Sequence, residues 1–220
     1  MKPLALPGVY APQDDTSLLV TALYEEPIAP GAHVLDVGTG TGAVALAAAR
    51  RGARVTAVDV SWRAVCSARL NARLAGLPVR ILHGNLFAPV ADRTFDLILA
   101  NPPYVPAPDA HLPSRGPARA WDAGHDGRLV LDRICHEAPR LLNPGGVLLV
   151  VHSALSGCAP TLERLRGAGL RAAVGERRRV AFGPVLRGRR DWLCERGLLP
   201  AAGEADEKEE LVVIRAERRV

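Results

Sequence analysis

His33-Val34-Leu35-Asp36-Val37-Gly38-Thr39-Gly40-Thr41-Gly42 is a short apolar run that breaks into a loop with glycine at every second position. The run reads as a strand. The glycines read as a tight loop that allows close backbone approach to a ligand. Val44 to Arg51, rich in alanine and stopped by Gly52, reads as the helix that follows. Strand and helix signals then alternate. Arg54 to Asp59 is a second strand, and Ser61 caps a helix that runs through Leu74 to the stop at Gly76 and Pro78. Val79 to Leu82 is a third strand and Phe95 to Ala100 a fourth. Leu129 to Leu142 is a helix ended by Asn143-Pro144-Gly145-Gly146, and Val147 to His152 is a fifth strand. Apolar runs without period-two alternation fit strands buried on both faces, and their alternation with helices implies a parallel sheet.

The flanks complete the picture. Residues 1–13 hold Pro3, Pro7, Gly8 and Pro12 and read as an extended arm. Leu18, Leu19, Ala22 and Leu23 recur at helical spacing, placing a helix at about 15–26. Residues 160–168 read as a further helix. Arg178 to Gly183 and Glu210 to Arg215 read as two late strands, with a partly helical link and a solvated turn at 200–210. Two strands joined without a full crossover pair antiparallel at the sheet edge. The expected fold is therefore α/β and doubly wound. Its mostly parallel seven-stranded sheet carries an antiparallel edge strand, and 1–220 form a single domain with an N-terminal arm and helix at 1–30. The region 103–128, rich in proline and glycine, is too long for a plain connection and reads as a substrate loop.

Open α/β sheets bind ligands at the carboxyl ends of their strands. The glycine loop fits a loose dinucleotide fingerprint, Gly38-x-Gly40-x-x-Ala43, and charge separates that reading from another. A pyrophosphate wants no carboxylate beside the helix N-terminus, and Asp36 stands two residues before the first glycine. A carboxylate there favours a cation, such as the ammonium and sulfonium of S-adenosylmethionine. Asp59 ends the second strand, where it can accept from both hydroxyls of a ribose. Gly84-Asn85-Leu86 follows the third strand, placed for an adenine.

Asn101-Pro102-Pro103-Tyr104 follows the fourth strand. Asparagine offers an acceptor and a donor. Proline fixes the turn and removes a backbone donor. The Asn101 side-chain oxygen and the Pro102 carbonyl can therefore converge on one planar NH2, either a side-chain amide or a nucleobase amine. Tyr104 would bring an aromatic face to that NH2, worth about 0.5–2 kcal/mol should the nitrogen become cationic. These residues are the candidate catalytic set, Asn101, Pro102 and Tyr104, with Asn101, Pro103 and Tyr104 also meeting the substrate.

Apolar content of 48% and a mean hydropathy of +0.08 exclude a disordered chain. The net charge is +5, nearly all of it arginine, since lysine occurs only at Lys2 and Lys208. The groups Arg177-Arg178-Arg179 and Arg187, Arg189, Arg190 leave open a phosphate-binding face against a solvated one. Cys66, Cys135, Cys158 and Cys194 form no C-x-x-C pair, and the six histidines show no metal spacing, so no metal site is expected. No leader and no membrane-length apolar run is read, so the expected location is the cytoplasm.

These motifs together resemble class I, Rossmann-like, S-adenosylmethionine-dependent methyltransferases. More narrowly, the chain resembles the short branch of the HemK-related protein-glutamine methyltransferases. The resemblance rests on Val9-Tyr10-Ala11-Pro12, Asp15-Thr16 with Leu18-Leu19, Leu35 to Gly42, and Asn101 to Val105. It extends to Ser114-Arg115-Gly116 through Ala120-Trp121, Gly124, Gly127-Arg128 and Asp132-Arg133. It implies cofactor contacts from Thr16, Asp36, Gly38, Gly40, Gly42, Asp59, Asn85, Leu86 and Asn101. One departure stands out: the family usually has aspartate where this chain has Asn85, whose amide oxygen can still accept from an adenine amine. The resemblance implies methyl transfer to a glutamine in the Gly-Gly-Gln loop of a peptide release factor, and some related short enzymes rely on a small activator subunit. Alternatives left open are a lysine acceptor, as in some related short enzymes, an adenine or guanine N-methyltransferase acting on DNA or RNA, a small-molecule N-methyltransferase, and a non-enzymatic cofactor-binding or partner subunit.

Overall fold

The computed structural model describes residues 3–200 and 207–219. Five strands run parallel: β1 (His33–Val37), β2 (Arg54–Asp59), β3 (Val79–His83), β4 (Phe95–Ala100) and β5 (Leu142–Ser153). Two late strands, β6 (Leu170–Ala181) and β7 (Lys208–Arg218), complete a seven-stranded sheet in the order β3-β2-β1-β4-β5-β7-β6. The late strands form an antiparallel pair at one side of the sheet. The reversed strand β7 lies one place in, between β5 and β6.

Helices α1 (Asp14–Glu25), α2 (Ala43–Arg50) and α3 (Trp62–Ala75) cover one face; α4 (Leu131–Leu141) and α5 (Cys158–Gly167) cover the other. The strands divide their side chains between these layers. Val34, Leu97, Leu149 and Val213 join α1 to α3 in one core, while Leu35, Ile98, Leu148 and Ile214 join α4 and α5 in the second. Both faces are apolar, and so the strand sequences run apolar without alternation.

Two boundaries differ from the sequence expectation, and the link after β6 is partly helical as read. β5 begins at Leu142, because Asn143-Pro144-Gly145-Gly146 stays in the sheet as an irregularity opposite Phe95 and Leu97 instead of breaking it. β6 is twelve residues long and starts at Leu170, well before Arg178. It is the edge strand and alternates exposed with covered positions, so Arg171, Arg177 and Arg179 sit on the wet side while Arg178 lies on the other face. The link after it holds two short helices, α6 (Pro184–Gly188) and α7 (Arg190–Glu195). Most of the expected turn at 200–210 lies outside the described residues. The arm is extended apart from a turn at Pro7–Gly8, where Val9 N donates to Leu6 O, with Leu4 bonded to Ser67 and Asn71 of α3.

The 103–128 loop is folded back on itself. Val105 N donates to Trp121 O, Ala123 N to Val105 O and Ala107 N to Gly124 O, at 2.7, 3.0 and 2.8 Å. Arg189, at the α6–α7 junction, clamps its base by donating to Asp122 Oδ1 at 2.6 Å and to Pro106 O at 3.0 Å. Among the described residues no helix is long and apolar enough to cross a membrane.

Candidate active site

The strand order reverses between β1 and β4, and there the chain opens a cleft of about 670 Å³. The register pairs Val37 with Ala100, so the next residues, Gly38 and Asn101, leave the sheet side by side. Thr16, Asp36, Gly38, Gly40, Asp59, Asn85, Leu86, Asn101, Pro102 and Pro103 all line this cleft. Two sequence candidates do not. Gly42 is buried behind the loop, where a Cβ would lie 3.2 Å from that of Ala68; it lets α2 approach α3 and is not part of the cleft wall. Tyr104 is discussed below.

The glycine loop's own backbone donors are largely committed. Gly38 N and Thr39 N donate to Val58 O, and Gly42 N donates to Thr39 O. Gly40 N donates to Asp59 Oδ2 at 2.9 Å, and Ala45 N, in the first turn of α2, donates to Asp36 Oδ2 at 3.1 Å. A pyrophosphate needs these amides free and finds two carboxylates on them, so the dinucleotide reading fails on the donor set. A cationic ligand with ribose hydroxyls fits it. Asp36 is buried and also accepts from Thr39 Oγ1 at 2.5 Å. Burial pushes its carboxyl up to about 6, opposed by the bonds from Thr39 and Ala45, with the charge of Asp59 adding to the rise. Burial likewise raises the Asp59 carboxyl, against the N–H groups of Ser61 and Gly40 and the charges of Arg119 and His83.

Beyond β3, Asn85 Oδ1 accepts from Arg133 Nη1 at 3.4 Å. Leu86 is the one non-glycine among the described residues with a left-handed backbone, φ 47°. That conformation costs about 1 kcal/mol and sits on the cleft wall, where such strain tends to collect.

At the β4 end, Asn101 Nδ2 donates to Thr16 Oγ1 at 3.3 Å, leaving the Asn101 oxygen without a partner among these contacts. Tyr104 departs from expectation. Its ring is 8% exposed and packs in the core with α1 and α2, and its hydroxyl donates to Asp15 Oδ2 at 3.1 Å. The two prolines set the backbone, but the buried carboxylate draws the phenol inward. The structure therefore withdraws the aromatic face from the cleft. Gly127 and Ser156 back the same turn, with Ser156 Oγ donating to Tyr104 O at 2.7 Å.

Several cleft residues escaped the sequence reading. Tyr10 lines the cleft from the arm, and Leu112, Arg115 and Arg119 line it from the tip of the 103–128 loop. Tyr10 and Arg115 stood within the quoted motifs, but nothing local assigns them a direction. Trp62, 60% exposed beside Asp59, stacks on His83 with ring centroids 4.0 Å apart. Most of the arginines in the two groups have side-chain partners, several of them at the surface. Arg177 pairs with Glu210, Arg187 and Arg190 with Glu207, and Arg189 with Asp122, while Arg178 donates to Ser17.

A doubly wound sheet with its cleft at the strand reversal, carboxylates on the first two strand ends and Asn-Pro-Pro-Tyr on the fourth, defines a class I S-adenosylmethionine-dependent methyltransferase. Residues 2–112 match the family model of the methyltransferase small domain, and the chain belongs to that family. It is 35% identical over 181 residues to a provisionally named protein N5-glutamine methyltransferase of Methanocaldococcus jannaschii, covering 82% of this chain and 90% of that one. It is 40% identical over 152 residues to the release factor glutamine methyltransferase of Geobacter sulfurreducens, covering 66% of this chain and 53% of that relative. The chain thus spans about half the length of the second relative. The E. cuniculi Mtq2-Trm112 complex, responsible for methylation of the eRF1 termination factor, shares the fold with a TM-score of 0.65 at 23% identity. That match covers 96% of this chain and 99% of that one.

Proposed function

We propose that this chain methylates the side-chain amide nitrogen of a glutamine in a peptide release factor. The observation that carries the reading is the Asn101 corner, where the side-chain NH2 is tied to Thr16 and the oxygen is left to accept. The names of the relatives in M. jannaschii and G. sulfurreducens point to the same acceptor. S-adenosylmethionine, when bound, supplies a methyl group activated by its sulfonium. Asp36, Asp59, Asn85, Leu86 and the Gly38–Gly40 backbone would hold it, with Thr16 and Asn101 alongside. A glutamine amide is a poor nucleophile because its nitrogen lone pair is delocalised. Asn101 Oδ1 and the Pro102 carbonyl each accept one N–H of the acceptor and turn its nitrogen toward the cleft. Both bonds strengthen as that nitrogen becomes positive, which is the differential stabilisation catalysis requires. The new N–C bond would form as the sulfonium S–C bond breaks to leave S-adenosylhomocysteine, and the methylated nitrogen then gives up one proton to solvent. Orientation is the larger part of their effect.

The test is incubation with labelled S-adenosylmethionine and a release factor, followed by peptide mapping. Label on the Gly-Gly-Gln glutamine is expected, and its loss when that glutamine is replaced. Label on nucleic acid, on lysine or on a small molecule overturns the reading. The proposal extends to the cytoplasm as the place of action and, as the family resemblance implies, to a small activator subunit. A rate unchanged by adding such a subunit removes that part.

A pH dependence follows from Asp36. Its carboxyl protonates more readily in the fold than its ordinary 3.8, so its contribution to folding is full below about pH 4 and lost as pH rises through about 6. Holding a cation runs the opposite way, because only the carboxylate attracts it. Cofactor affinity is expected to fall by up to about tenfold per pH unit below about 6 and to level off above. Calorimetry from acid to neutral pH checks this. A flat profile, or one that Asp36→Asn leaves unchanged, takes Asp36 out of the cation site.

A further inference from the structure

We propose that Asp15 is a positioning residue: through the Thr16 hydroxyl it sets which way the Asn101 amide faces, keeping the Asn101 oxygen toward the acceptor nitrogen. The inference rests on the amide-methylating reading above and adds to it a residue outside the cleft. Asp15 is 4% exposed in the first turn of α1 and does not line the cleft. Its Oδ1 accepts from Thr16 N at 2.5 Å and from Thr16 Oγ1 at 3.1 Å. Its Oδ2 accepts from Tyr10 OH at 3.0 Å and Tyr104 OH at 3.1 Å. Four donors converge on a group with about four lone-pair sites, which fixes the carboxylate from the arm, from α1 and from the turn after β4.

The proton count then decides the rest. A threonine hydroxyl has one proton, and here Asp15 takes it. Only lone pairs of Thr16 Oγ1 remain to face Asn101, so Asn101 must present its NH2, as it does at 3.3 Å. A flipped amide would set oxygen against oxygen and lose the bond. Burial, and after it the charge of Asp15, push both phenols well above their ordinary value, so they remain donors across the working range. The inward turn of Tyr104 thereby has a function: it is one of the two clamps on Asp15.

The test uses Thr16→Val, Thr16→Ser and Asp15→Asn in the full chain. Thr16→Val and Asp15→Asn are expected to lower kcat at saturating S-adenosylmethionine by about 10- to 100-fold. For Asp15→Asn, whose side chain lies outside the cleft, cofactor Kd is expected to stay within about threefold, whereas Thr16→Val, at a cleft residue, is read by kcat at saturating cofactor. Thr16→Ser keeps the hydroxyl and is expected to restore most of the rate. A packing role ranks the variants the other way, because valine keeps the shape and serine does not. Equal rates for valine and wild type, equal damage from serine and valine, or an Asp15→Asn Kd that worsens in step with kcat overturns the proposal. Side-chain amide NMR of the protein alone separates this from the choice of acceptor. One Asn101 NH2 proton is expected to lose its hydrogen-bonded shift in Thr16→Val. An unchanged signal overturns the relay even if glutamine is methylated. Wild type that leaves glutamine unmodified but shows the shift overturns only the acceptor.

Discussion

Asn101→Ala is expected to lower methyl transfer by about 10²- to 10³-fold at saturating cofactor while cofactor Kd moves by less than about tenfold. The asymmetry comes from where the charge develops. In the ground state Asn101 contributes one acceptor to a neutral amide. As nitrogen takes up the methyl group its N–H groups become charge-assisted donors, and an acceptor already in place needs no reorganisation. The Pro102 carbonyl remains in the variant, so one of the two acceptors survives and residual activity is expected. Single-turnover rates and calorimetry on intact protein read the two quantities separately. Equal collapse of both makes Asn101 a cofactor ligand first and removes it from the chemistry. Asn101→Asp sharpens the result: it keeps an oxygen for the acceptor but has no NH2 for Thr16, so carboxylate meets hydroxyl lone pairs and orientation fails.

The five parallel strands and most of the cleft wall were legible because both signals are local. An apolar run such as Phe95 to Ala100 reports burial on both faces, and the residue that ends it is at the cleft by topology. Val37 and Ala100 lie opposite one another, and so Gly38 and Asn101 had to meet. Side-chain direction was not legible where a distant partner decides it. Pro102 and Pro103 fix the turn, but Tyr104 faces inward because of Asp15, 89 residues earlier. Gly42 belongs to the same glycine run as Gly38 and Gly40, yet the packing of α2 on α3 claims it. Likewise Arg189 reads as one of a basic group until Asp122, far back in the chain, pairs with it. The start of β6 was missed because its outer face is wet, which dilutes the apolar signal that marks the inner strands.

Gly127→Ala is expected to destabilise the chain by about 2–4 kcal/mol, a loss of roughly 5–15 °C in Tm, and to depress activity in whatever remains folded. Two costs add. Gly127 has φ 72°, a left-handed backbone that an L side chain occupies at about 1–2 kcal/mol. A Cβ there would stand 2.2 Å from Tyr104 O and 2.7 Å from Ser156 Oγ. The first neighbour is main chain, so relief requires moving the turn itself. That turn has little room to move: Tyr104 O is bonded to Ser156, and the adjacent Arg128 is buried, bonding Asp132 at 2.7 Å and Gly157 O at 2.9 Å. Displacing Tyr104 also draws its hydroxyl from Asp15 and loosens the chain of bonds through Thr16 to Asn101. The activity loss per folded molecule is therefore expected to exceed that of a control such as Gly52→Ala. Gly52 also has positive φ, 82°, but a Cβ there meets nothing within 4 Å. Thermal unfolding and active-site-normalised rates for the two variants decide it. If Gly127→Ala unfolds no earlier than Gly52→Ala and keeps its rate, the turn is not braced from this side and the rigidity attributed to the Asn101 corner has another source.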